Sequence, residues 1–172
     1  MATPWALSPE QARQLFRYNR AVFERFVRAA KRLSWKRAIQ DRGSGHRSIF
    51  QTLVHILHVH EAWLRYIVEG RMKEFEMAER SPLRHPTSWK EFDRYASETW
   101  RAIARRLDTA SAARLRLRVK APWMRGRYTF SDALLQTTLE QAHHLGEVIA
   151  VFWQQDTSPP DMTWIDVNRA LS

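Results

Sequence analysis

Apolar side chains recur along the first fifth of the chain at Leu15, Val22, Phe26, Ala30 and Leu33, with Phe16, Phe23 and Val27 beside them. Arg13, Arg17, Arg20, Arg28 and Lys31 take the remaining positions, so the spacing predicts an amphipathic helix with one core-facing side. Its start is marked by Ser8-Pro9-Glu10-Gln11, a capping box with proline at the first helical position. Ser34 to Arg47 has no period and carries Gly43-Ser44-Gly45, which reads as a loop. A second capping box, Ser48-Ile49-Phe50-Gln51, opens a run that stays apolar on nearly all sides until Glu69-Gly70. A helix apolar all round sits centrally in the packing. Arg71 to Pro86 mixes charges with two prolines and is expected to fray and then connect. Ser88-Trp89-Lys90-Glu91 starts a third helix that turns Phe92, Ala96, Trp100, Ile103 and Leu107 inward.

The period then falls to two. Leu115-Arg116-Leu117-Arg118-Val119-Lys120 alternates strictly, and Tyr128-Thr129-Phe130 lies beyond a turn carrying Pro122 and Gly126. A short hairpin with one basic face follows, which must pack on the helices because two strands do not stand alone. The last helix is expected from near Ser131 to about Gln155, stopped by Thr157-Ser158-Pro159-Pro160, with a tail anchored back on the bundle by Trp164, Ile165 and Val167. The expected architecture is all-α: one domain over residues 1–172, a four-helix bundle with a short β-hairpin-like insertion before the last helix.

Composition narrows the chemistry. There is no cysteine, which removes disulfides, thiolate catalysis and thiolate zinc sites and leaves His, Asp and Glu as side-chain ligands. No apolar stretch is long enough for a membrane span, and Met1 to Trp5 shows no leader pattern, so a soluble, cytoplasmic protein without membrane contact is expected. The net charge of +10 predicts attraction to anions: nucleic acid, a lipid surface, or a carboxylated or phosphorylated small molecule.

Within the last helix, Leu139-Glu140-Gln141-Ala142-His143-His144-Leu145-Gly146-Glu147 places polar, metal-capable groups where an apolar face would continue. Glu140 and His144 are one turn apart on one face, whereas His143 points about 100° away from His144. A further ligand has to come from Leu53 to Leu64, the other place where histidines interrupt a hydrophobic run. His60, His85 and His46 show no partner pattern. Glu140 and His143 have the Glu-x-x-His spacing of di-iron bundles, but no second such element exists. Nucleophile-elbow, Walker and dinucleotide-binding motifs are absent.

The stretch Leu53 to Leu64, the hairpin through Gly126, His143-His144-Leu145-Gly146-Glu147 and the tail from Pro159 to Val167 resemble the DinB-like family of four-helix-bundle metalloproteins over nearly the whole chain. The resemblance implies a divalent ion held by one histidine of the second helix, here His55, and by histidines one turn apart on the fourth, of which His144 is one. Glu140 stands where the family pattern has the other histidine, and Leu145 and Glu147 replace its usual arginine and glutamine. His55, Glu140 and His144 then form a two-histidine, one-carboxylate set for one divalent transition metal: zinc, manganese, iron or nickel. His58, one turn from His55, is a candidate orienter or alternative ligand. Two functions are expected to compete. One is a metal-dependent hydrolase or thiol-dependent transferase acting on a small-molecule, anionic thiol substrate held by the arginine-rich hairpin. The alternative is a non-catalytic basic protein that contacts nucleic acid or another polyanion through charge interleaved with Trp89, Trp100, Trp123 and Tyr128. Eight tryptophans, many for a core of this size, point to a homodimer.

Overall fold

A computed structural model describes residues 5–43, 45–121 and 125–171; Ser44, Pro122 and Trp123 lie outside the described residues. Four long helices form the body. Helix α1 (Pro9–Arg32) starts as its sequence predicts, with the Ser8 hydroxyl accepting from the Gln11 N–H and the Gln11 side chain accepting from the Ser8 N–H. A five-residue helix, α2 (Trp35–Ile39), occupies part of the segment read as a loop. Its causes are tertiary: Trp35 packs edge-on against Phe50 and Trp89, and the Arg37 guanidinium donates to the side chain and backbone of Gln155.

Helix α3 (Ile49–Glu61) runs on through a π-helical turn at Ala62–Tyr66 and a 3-10 turn at Ile67–Glu69, and Gly70 ends it with φ 69°, a left-handed value that suits glycine. The segment expected to fray is helical as α4 (Met72–Glu79), yet it buries none of its side chains. Helix α5 (Trp89–Asp108) is capped by Ser88, whose hydroxyl accepts from the Glu91 N–H. The Glu91 carboxylate instead accepts from the N–H and hydroxyl of Thr87, so the reciprocal bond to Ser88 does not form.

The hairpin is shorter than the alternating sequence predicts. Leu115 belongs to α6 (Ala112–Leu115), and only β1 (Arg118–Val119) pairs antiparallel with β2 (Tyr128–Thr129), Arg118 opposite Thr129 and Val119 opposite Tyr128. Ser111 caps α6, and burial of Leu115 against the bundle outweighs the period-two pattern. Helix α7 (Phe130–Trp153) begins with a reciprocal box between Thr129 and Asp132. The tail folds back as α8 (Trp164–Arg169). Val167 is fully buried and Trp164 leans on Tyr18, whose hydroxyl donates to the Met162 carbonyl; Ile165 is exposed and anchors nothing.

Helix α3 lies against α7 and α5, and α1 lies against α5 and α7, as a four-helix bundle requires. Phe23, Phe26, Leu53, Leu57, Phe92, Leu134 and Phe152 fill the shared core with no more than 1% exposure, each contributing about 1.5–3 kcal/mol of transfer free energy. Among the described residues no helix is long and apolar enough to cross a membrane.

Candidate metal centre

Three histidines from three different segments converge between α3 and α7. His55 is half-buried in the middle of α3, on a turn whose neighbours Leu53, Ile56 and Leu57 are fully buried and fix the helix in place. His144 lies on α7 between buried Gln141 and Leu145. The third is His46, from the loop between α2 and α3. That loop is folded by its own backbone: the Arg42 N–H donates to the Arg47 carbonyl, the Ser48 N–H donates to the His46 carbonyl, and Gly43 and Arg47 take positive φ. It brings His46 flat onto His55, with ring centroids 3.8 Å apart. His46 and His55 stand 4.8 Å and 4.6 Å from His144, each nearly edge-on to it. One nitrogen from each of the three lies within 4.8 Å of the other two.

Two carboxylates flank His144. Glu147 Oε2 is 3.2 Å from His144 Nδ1, and Glu147 Oε1 is 3.7 Å from Nε2 of exposed His143. On the other edge of the ring, Glu140 Oε2 is 3.6 Å from His144 Nε2, while Glu140 Oε1 accepts from the Gln136 amide. A Cβ at Gly45 would sit 3.1 Å from Glu147 Oε1, so a residue without a side chain lets the His46 loop approach α7 this closely. His143, His144 and Glu147 form a second group with metal-ligand proximity. Glu140, expected beside His144, is there; among the described residues it is not in a three-donor group with His55, whereas His46 is.

The remaining histidines have ordinary duties. His60 is completely buried, donates from Nε2 to Gln141 Oε1, and that glutamine donates on to the Asn19 carbonyl. His58 donates from Nε2 to the Arg84 carbonyl, and His85 to that of Glu79. Sequence periodicity also gave no sign of a buried network around Glu61. One Glu61 oxygen accepts from Arg84 Nε at 2.7 Å and the Tyr95 hydroxyl at 2.8 Å; the other accepts from Arg65 at 2.9 Å. It pins the segment around Arg84 to α3 and α5. The interruption of an apolar run by Glu61, four residues before Arg65, was its only trace in the sequence.

The donor set suits a metal. Burial first, then the neighbouring imidazoles of His46 and His144, push the pKa of His55 down to about 4, and burial followed by His144 lowers that of His46. Both rings are therefore neutral near pH 7, with lone pairs free to bind. Metal–nitrogen bonds of about 2.0–2.1 Å would require the three nitrogens, which lie within 4.8 Å of one another, to close in on a shared point. A cavity of about 340 Å³ opens beside His46 and His55, lined also by Phe50, His58, Arg84 and Pro86. A second, of about 410 Å³, touches His144 and Glu140 from the α7 side. A cavity of about 480 Å³ between α1 and α5 has no histidine in its wall. Three imidazoles at one ion would leave coordination positions open.

A family model, the DinB superfamily, matches residues 20–148, a span that includes His46, His55, Glu140 and His144. The search of curated proteins returned no match.

Proposed function

The chain belongs to the DinB superfamily, and on that premise we propose that it is a divalent-metal-dependent enzyme whose ion is held by His46, His55 and His144, with Glu140 as a fourth donor. The convergence of three imidazoles from α3, α7 and the loop between α2 and α3 carries the reading. Glu140 joins them because its free carboxylate oxygen faces the Nε2 edge of His144. Three imidazoles and one carboxylate suit zinc, manganese, iron(II) or nickel. A bound ion supplies a Lewis acid that lowers the pKa of a water or thiol beside it.

The chain's own groups define the rest. Glu147 Oε2, 3.2 Å from His144 Nδ1, would accept that nitrogen's proton and leave Nε2 as the ring's lone-pair donor. The cavity beside His46 and His55 receives a small molecule, and Phe50 and Pro86 give it an apolar wall. The reaction class is hydrolysis or transfer to a low-molecular-weight thiol. Protein purified without chelator is expected to carry about one first-row divalent ion per chain by elemental analysis. Absence of bound metal after reconstitution with zinc, manganese and nickel overturns the reading. We place the enzyme in the cytoplasm as a homodimer; light scattering is expected to give about twice the 20.4 kDa chain mass, and a monomer mass removes the pairing.

A further inference from the structure

Between Trp100 and Asp132 the chain carries nine lysines and arginines and one acid, Asp108, so this stretch holds a net +8 of the total +10. The fold gathers it at one end of the bundle, where the last turn of α5, α6 and the hairpin meet the 3-10 turn that ends α3. Only part of that charge is neutralised there: Arg106 and Arg114 both converge on Glu69. Arg105, Arg116, Arg118, Lys120, Arg125 and Arg127 are exposed, and no carboxylate among the described residues pairs with them.

The hairpin presents its cations outward because its other side is anchored. Tyr128 packs edge-on against Trp63, and Leu115 and Ala121 are buried. Extending the observed register by one step sets Lys120 opposite Arg127. Like charges facing each other across a ladder cost stability, and strands of two residues have little to spare. An anion lying over the hairpin removes that cost.

We propose that this end of the molecule binds the phosphate backbone of a nucleic-acid strand, at a site separate from the metal centre. Five of the six unpaired cations are arginines, whose forked donors match phosphate oxygens. Residues two apart on a strand lie about 6.6–6.8 Å from each other, close to the step between successive phosphates of a single strand. A membrane surface fits less well, since Leu117 is the one large apolar side chain that the described hairpin residues and their flanks expose. Thr129 precedes His144 by fifteen residues along α7, or about 22 Å at helical rise, so a small molecule at the histidines does not reach the hairpin cations. The contact is expected to be independent of sequence, since it is made through phosphates.

Anisotropy titration of a labelled single-stranded oligonucleotide of about 20 nucleotides tests this. Binding is expected at about 50 mM salt and should weaken roughly 100-fold by 200 mM, as five or so phosphate contacts require. The variant Arg118→Gln/Lys120→Gln/Arg127→Gln should bind at least tenfold more weakly with a salt slope smaller by about 2. Arg116→Gln/Arg125→Gln, which leaves the ladder untouched, should weaken binding in the same direction. His144→Ala should bind as the parent does, so the outcome is read apart from the metal site. Absence of binding at 50 mM salt, hairpin variants that bind like the parent while melting at the parent's temperature, or binding only to phosphatidylserine vesicles would each overturn the proposal.

Discussion

The imidazole of His46 lies on that of His55 with their planes 21° apart, although His46 belongs to a loop and His55 to the middle of a helix. Burial first, and then the imidazole of His144 for His46 and those of His46 and His144 for His55, hold both rings neutral, so the stack is a pair of lone-pair donors already assembled beside His144. The loop can occupy this place because Gly45 has no side chain to meet Glu147.

The two candidates for third donor are separable by mutation. His46→Ala should weaken zinc binding by more than tenfold, and Glu140→Ala by less, because three imidazoles remain in the second case. Calorimetry of both variants checks the order. Parent-like affinity in His46→Ala removes it as a donor and leaves Glu140 in that position.

Glu147 is expected to act through His144. Glu147→Gln keeps the side-chain shape but no longer offers a charged acceptor at Nδ1, 3.2 Å away. Metal affinity should fall about 10- to 100-fold while the melting temperature of the metal-free protein changes little. Unchanged affinity would show that the carboxylate does not orient the ring.

The Glu61 network should matter to stability. Glu61→Ala strands buried Arg84 without its carboxylate and is expected to cost about 3–5 kcal/mol. Tyr95→Phe removes a single donor to Glu61 and should cost about 1–2 kcal/mol. Urea unfolding at pH 7 gives both values, and equal costs would contradict the central role of the carboxylate.

Acid should destabilise the metal-free protein through His60. Complete burial pushes its folded pKa down to about 4, against 6.5 when unfolded, so between these values the unfolded chain binds more protons. Stability is then fully present above about pH 6.5 and is lost as pH falls toward 4, by on the order of 3 kcal/mol from this group. The lowered pKa values of His46, His55 and His58 act in the same direction. His60→Gln should flatten the fall in melting temperature between pH 6.5 and 4.5, and an unchanged slope would assign the effect elsewhere.

Local signals in the chain determined the helices. Ser8, Ser48 and Ser88 cap where their spacing to Gln11, Gln51 and Glu91 places a helix start, and Gly70 ends α3 because only a left-handed turn closes it there. One-turn spacing likewise set Glu140 beside His144, since helical geometry fixes what lies four residues away. Tertiary packing decided everything that joins segments distant in sequence. It placed His46 on His55 through a loop with no period, made a helix of Trp35–Ile39 around aromatic contacts, and drew Arg84 and Tyr95 to Glu61. It also shortened the hairpin, because burying Leu115 gives more than one further strand pair. Periodicity reports which side of an element is apolar, and which partner covers that side is settled only when the whole core closes.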